Sequence, residues 1–237
     1  MTSSFQFNAI GSIATPYKEK FSIPRQPGLA DLAKGIITLT GEANNPELLR
    51  GLEQYSHIWL LFIFSDCLTQ GWKPLVRPPR LGGNKKLGVL ATRSTFRPNP
   101  IGMSAVKLDE IVYQKHQTQI VVSGIDLLDQ TPIIDIKPYI AYSDAIDIQD
   151  GFAQQAPSTK LTVDFSEFAK QSLQKHHQTY PELGDLICQV LSQDPRPAYK
   201  KDKLDDKIYG IVLYEFNIKW QVSLSNEVNV IEIEARE

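Results

Sequence analysis

Cysteine is scarce in this chain: Cys67 and Cys188 are the two among 237 residues, too few for a disulfide framework or a thiolate metal site. Long apolar runs are missing too. The longest, IWLLFIF at 58–64, falls far short of the roughly 20 residues a membrane helix needs. The opening MTSSFQFNAIG has neither a cationic n-region nor an apolar h-region, so no secretory signal is expected. Together these absences point to a reduced cytoplasm. Neither G-x-G-x-x-G nor G-x-x-x-x-G-K-[ST] occurs, which removes the two common nucleotide fingerprints. H-E-x-x-H and G-x-S-x-G are absent as well. The four histidines, at 57, 116, 176 and 177, share no metal-ligand spacing, so no metal is expected.

Acids are missing from one long stretch. Between Cys67 and Leu108 lie Lys73, Arg77, Arg80, Lys85, Lys86, Arg93, Arg97 and Lys107, and no Asp or Glu. The chain carries −2 net, so this stretch holds +8 and the remainder −10. A basic face on an acidic body suits docking of a polyanion. A solvated loop whose charges pair with acids elsewhere in the fold has the same composition. Within the stretch, ATRSTFRPNPIGMS places Arg93 and Arg97 four residues apart beside a Pro98-Asn99-Pro100 turn.

The first two thirds of the chain read as short strands and proline-rich loops. Strands are expected at 5–10, 35–40, 87–92, 101–112, 120–128 and 133–136, with helical turns over 46–51. The 58–64 run is expected to be a strand buried on both faces. Many short strands and hardly any helix predict a mainly β protein built on a closed or nearly closed barrel. After about residue 160 the pattern changes. Ser166 reads as an N-cap, and Leu183, Leu186, Ile187, Val190 and Leu191 fall on one helical face. Two antiparallel strands are expected at 208–220 and 222–233, turning at Ser225-Asn226. The linker-like Gln154-Gln155-Ala156-Pro157-Ser158 places a boundary within 155–165. Domains of 1–160, a barrel, and 161–237, a small α+β unit, follow.

Four proline-held polar loops remain: TPYKEKFSIPRQPG at 15–28, VRPPRLGGNKK at 76–86, the arginine stretch, and DLLDQTPIIDIKPY at 126–139. Proline lowers the entropy cost of holding a loop in one shape, and rigid loops on a barrel are where binding residues belong. Proline also protects edge strands from aggregation. That alone leaves the clustering of Arg, Asn and Gln between the prolines unexplained.

These motifs, together with D-P-R-P-A-Y at 194–199, resemble the TrmO family, and the resemblance runs from Phe5 to about Trp220. It implies a non-Rossmann β-barrel methyltransferase in the bacterial long form, with an extra C-terminal domain. It implies S-adenosylmethionine as cofactor, the tRNA anticodon loop as partner and N6-threonylcarbamoyladenosine as the methylated nucleoside. It further implies a homodimer with cofactor sites near the subunit interface. By motif, the cofactor-binding residues are Pro24, Arg25, Gln26, Ser65, Asp66, Arg93, Met103, Ser123, Gly124, Ile125 and Asp126. Ser65 stands where many relatives place His.

Arg93 is expected to hold the cofactor's carboxylate, which a guanidinium fork matches. Asp126 is expected to meet a ribose hydroxyl or the adenine amine. Arg97 and Asn99 would face RNA, with the cations of 73–86 on phosphates. Tyr17 and Asp135 are candidate proton acceptors or orienters for the substrate nitrogen, Asp135 equally a loop-capping acid; no catalytic residue is assigned. In the C-terminal unit, Arg196 and Tyr199 sit between prolines and are expected to offer platforms for unstacked bases, or to pack the two units together. A noncatalytic RNA-binding or regulatory module would use the same basic face. So would a hydrolase or transferase acting on a small phosphate compound. Cofactor binding separates the methyltransferase from both.

Overall fold

The computed structural model describes residues 4–78, 85–145, 161–197, 200, 205–224 and 227–236. The first strands are β1 (Gly11–Ala14), β2 (Lys34–Leu39), β3 (His57–Ile63), β4 (Leu75–Val76) and β5 (Leu87–Gly88). Three more follow, β6 (Ile101–Gln114), β7 (Gln117–Ser123) and β8 (Thr131–Pro138), and then a one-turn helix, α1 (Ala141–Asp144). Six of these strands close into a barrel in the order β1-β2-β7-β6-β3-β8, with every neighbouring pair antiparallel. β4 and β5 pair separately as a short ribbon.

Side-chain alternation sets the barrel interior. On β3, Ile58, Leu60 and Phe62 point inward, while Trp59, Leu61 and Ile63 are half-buried. The apolar run is therefore not buried equally on both faces. Its outer side meets Tyr139, whose ring lies 5.5 Å from that of Trp59, and Asp144, which accepts from the indole N–H at 3.0 Å. Opposite the inward face, Val106, Ser104 and Gly102 of β6 pair with Ile58, Leu60 and Phe62. Glycine is required at the last position, because a Cβ on Gly102 would lie 2.3 Å from the Phe62 ring.

Several strand expectations change in length. Residues 5–10 are not a strand, although the Ile10 backbone bonds both Ile133 and Thr40 at the barrel edge. The strand expected over 87–92 stops at Gly88 and continues as a short 3₁₀ turn. The one expected over 120–128 ends at Ser123, because Gly124 adopts φ +71° and turns the chain away.

The C-terminal region holds β9 (Thr162–Phe165), α2 (Glu167–His176), α3 (Leu183–Leu191), β10 (Asp205–Leu213), β11 (Phe216–Leu224) and β12 (Glu227–Ala235). Its sheet runs β10-β11-β12-β9, with β9 parallel to β12. The stretch expected as one strand over 208–220 is two, split at Tyr214 with φ +52°. The expected Ser225-Asn226 turn and the 154–158 linker lie outside the described residues. Ser166 caps α2, its hydroxyl accepting from the Ala169 N–H at 3.1 Å. All five apolar residues that define the α3 face are buried.

Both regions share one continuous core. The segment after β1 docks along β10: Tyr17 bridges Leu213, the Tyr214 N–H donates to the Pro16 carbonyl at 2.8 Å, and Glu19 accepts from the Val212 N–H at 3.2 Å. The structure is mainly β, a closed barrel with a smaller α+β region beside it.

The Phe62–Gly102 contact makes a direct prediction. Phe62 is buried and packed edge-on against Phe64 at 5.3 Å, so its ring has little room to yield. Gly102→Ala is expected to destabilise the fold by about 1–3 kcal/mol, the usual cost of overpacking, in a denaturant titration.

Candidate functional site

Five short stretches of the chain, 20–26, 62–67, 92–97, 101–104 and 126–131, line one cavity of ≈ 560 Å³ at the edge of the barrel. That volume lies within the range typical of small-molecule sites. Phe62, Phe64, Ile101, Met103, Leu127 and Leu128 supply its apolar lining. Of the residues expected to bind cofactor, Pro24, Arg25, Gln26, Ser65, Asp66, Arg93, Met103 and Asp126 all reach it.

Arg93 and Gln26 meet across the cavity rim, the guanidinium Nη1 donating to the amide Oε1 at 2.6 Å. The two loops that carry them are 67 residues apart in sequence. Arg97 also lines the cavity but braces its own loop, since Nη1 donates to the Thr92 carbonyl at 2.8 Å and to that of Ser94 at 3.2 Å. Cys67 is buried against the hydroxyl of Thr95 at 3.3 Å and the ammonium of Lys20 at 3.6 Å.

Asp126 is a half-buried carboxylate at the cavity wall. Gly124 turns the chain out of β7, which brings Asp126 to the cavity wall, where the Ser104 hydroxyl donates to Oδ1 at 2.6 Å. Burial pushes its carboxyl up to about 6, against the opposing pull of the Ser104 bond and the Arg93 charge. Sequence reasoning missed Ser104, Gly102, Phe62 and Lys20 as cavity residues. Ser104 was the most legible of these, a hydroxyl at an inward position of a barrel strand.

Other expected site residues stand away from the cavity. Tyr17 is fully buried in the shared core and does not line the cavity; burial pushes its phenol far above the usual range. Ser123, Gly124 and Ile125 are buried behind the wall rather than lining it. Gly124 instead anchors the facing loop, accepting from the Gly28 N–H at 2.8 Å and donating to the Ala33 carbonyl at 3.0 Å. Asn99 is exposed and outside the lining. Asp135 is also outside it, paired with Lys137 at 2.7 Å.

Arg196 is not presented to solvent. Asp194 takes φ +50°, folding the chain back so that its carboxylate accepts from Arg196 Nε at 2.7 Å and Nη2 at 2.9 Å. The side chains are 1% and 8% exposed, which leaves no face for a base to stack on. Tyr199 lies outside the described residues. At the end of the basic stretch Lys107 pairs with Asp109, just beyond it, at 2.9 Å. Lys73 packs over the Phe96 ring at 4.5 Å. Among the described residues no group of three or more His, Cys, Asp or Glu could hold a metal.

Two outcomes follow. Arg196→Ala leaves a buried carboxylate without its bidentate partner and is expected to cost about 3–5 kcal/mol in chemical denaturation. For Asp126, the folded-state value lies above the ordinary 3.8, so protonation favours the fold. Its contribution is fully present below about pH 4 and is lost as pH rises through about 6. Asp126→Asn is therefore expected to raise the melting temperature near pH 8 and to match wild type near pH 4, as calorimetry would show.

The chain is similar to proteins of one kind along nearly its whole length. The family model for the tRNA-methyltransferase O N-terminal domain matches residues 12–145, and that for the TrmO C-terminal domain matches 158–236. A tRNA (adenine(37)-N6)-methyltransferase of Escherichia coli K12 is 48% identical over 93% of this chain and 94% of that protein. A Pseudomonas aeruginosa protein named as a putative S-adenosylmethionine-dependent methyltransferase, RcsF, is 44% identical over 94% and 95%. The crystal structure of TrmO from P. aeruginosa superimposes with a TM-score of 0.83 at 37% identity, covering 99% of this chain and all of that one. By sequence and by fold, the chain belongs to the TrmO family.

Proposed function

We propose that this chain transfers the methyl group of S-adenosylmethionine to N6 of adenosine 37 in tRNA, and that the acceptor is the threonylcarbamoylated nucleoside of the anticodon loop. The observation that carries the cofactor reading is the cavity itself. A carboxylate, Asp126, and a guanidinium, Arg93, share one apolar-lined space of ≈ 560 Å³. The relatives' methyltransferase names support the reaction.

The donor set suits the cofactor. Arg93, already oriented by Gln26, offers a fork for its carboxylate. Asp126, held by Ser104, offers an acceptor for a hydroxyl or amine. Phe62, Phe64, Met103 and Leu127 provide apolar surface for a base. When bound, the cofactor supplies an electrophilic methyl. The chain's own residues orient and enclose the reactants, and in an in-line displacement such positioning supplies much of the rate.

The domains are read as 1–160, carrying the cofactor site, and 161–237, supporting it. A homodimer is read from the family and from the exposed Leu68, Trp72, Leu75 and Leu90 on segments flanking the cavity. RNA would approach over the basic stretch that holds Lys73, Lys85 and Lys86. Among the described residues no helix is long and apolar enough to cross a membrane, and a tRNA substrate supports a cytoplasmic location.

Mass spectrometry of nucleosides tests the reaction. Purified protein, cofactor and tRNA are expected to yield N6-methylated threonylcarbamoyladenosine. Methylation of tRNA lacking the threonylcarbamoyl group at equal rate would overturn that acceptor. Arg93→Ala is expected to weaken cofactor binding roughly 10- to 100-fold in calorimetry, the worth of one charged hydrogen-bonded contact. Arg93→Lys should not restore it, because an ammonium lacks the two-point fork.

A further inference from the structure

The C-terminal region touches the segment that forms one wall of the cavity. Residues 15–33 leave β1, contribute Lys20, Pro24, Arg25 and Gln26 to the wall, and return to β2. β10 holds the segment's start through Tyr17, Pro16 and Glu19. The barrel holds its middle through the Gly28–Gly124 bond. Its end is held twice, by the Gly124 N–H on the Ala33 carbonyl at 3.0 Å and from α3. The Gln189 Oε1 accepts from the Leu32 N–H at 3.2 Å, and Nε2 donates to the Asp31 carboxylate. One turn on, Gln193 Nε2 donates to the Leu29 carbonyl at 3.3 Å and to the Gln189 carbonyl at 2.8 Å.

Beneath the same wall lies a second, smaller cavity of ≈ 230 Å³. Ile23, Pro24 and Arg25 form one side of it, and Val190, Gln193 and Arg196 the other. Pro24 and Arg25 thus separate the two cavities, lining both. A wall with open space behind it keeps its position through its anchors rather than through packing.

We infer that Gln189 is a positioning residue for the cofactor site: by clamping Asp31 and Leu32 onto α3 it sets the wall that carries Pro24, Arg25 and Gln26. The C-terminal unit therefore acts on cofactor affinity from the side of the loop opposite the cofactor. Gln189 suits the role because one amide both accepts from the backbone and donates to the carboxylate. The inference rests on reading the larger cavity as the cofactor site.

A charge-reversible pair of variants tests it in the full-length protein. Gln189→Glu keeps the acceptor for Leu32 but sets a carboxylate against Asp31. Adding Asp31→Asn restores a donor across the contact. Gln189→Glu is expected to raise the Kd for S-adenosylmethionine about three- to tenfold, the worth of one hydrogen bond, and the double variant to recover it. kcat at saturating cofactor and the KM for tRNA should be unchanged in both. Without cofactor, amide hydrogen exchange over residues 20–33 should quicken in the single variant and return in the double.

Faster exchange with an unchanged Kd would overturn the inference, because the clamp would then not reach the site. Loss of affinity that Asp31→Asn fails to rescue would overturn it too, because the effect would not run through this contact. Wild-type protein that binds no cofactor would remove the functional reading as well, an outcome distinct from either.

Discussion

Gly124 joins two halves of the site through its own backbone. Its N–H reaches the Ala33 carbonyl and its carbonyl takes the Gly28 N–H, so the end of β7 and the loop that carries Pro24, Arg25 and Gln26 cannot separate. The geometry needs φ +71°, and a Cβ there would sit 3.4 Å from Gly28 Cα. The same turn carries the chain out of the barrel and brings Asp126 to the cavity wall. Moving this one residue would shift both a wall of the site and its half-buried carboxylate.

The charges of the site gain their meaning from that enclosure. Asp126 is held partly out of water, which raises the cost of its ionisation, while the Ser104 hydroxyl and the nearby Arg93 work against the rise. Ionisation there costs more than at an exposed carboxylate, and a ligand bringing donors or positive charge offsets that cost. Arg93 is held by a neutral amide rather than by an acid. Its charge therefore remains available to an anionic group.

The arginines of the basic stretch differ in the neighbours that the fold gives them. Arg97 and Arg93 have the same chemistry and are four residues apart, yet one braces carbonyls of its own loop and the other reaches Gln26. Arg196 departs furthest from its local appearance. A proline-flanked arginine looks displayed, but a left-handed Asp194 folds it into the seam between the regions. Its guanidinium is taken by Asp194, at the side of the smaller cavity that faces Pro24 and Arg25.

Short-range pattern determined the barrel class, the buried face of α3, the Ser166 cap and the motif-carrying loops, because alternation, helical periodicity and capping act between near neighbours. Eight of the eleven proposed cofactor residues could be located from motif alone, and they do line one cavity. Strand ends at Ser123, Gly88 and Leu213 were not legible, since backbone turns stop them within runs that are still rich in β-forming residues. Nor were Tyr17, Arg196 and Gln189. Whether a tyrosine, an arginine or a glutamine faces a ligand, a carboxylate or a core is settled by what the chain's other regions place against it. For Gln189 that contact spans 157 residues, beyond the reach of any local signal, whereas the carboxylate that takes Arg196 is two residues away and reaches it only because Asp194 adopts a left-handed backbone.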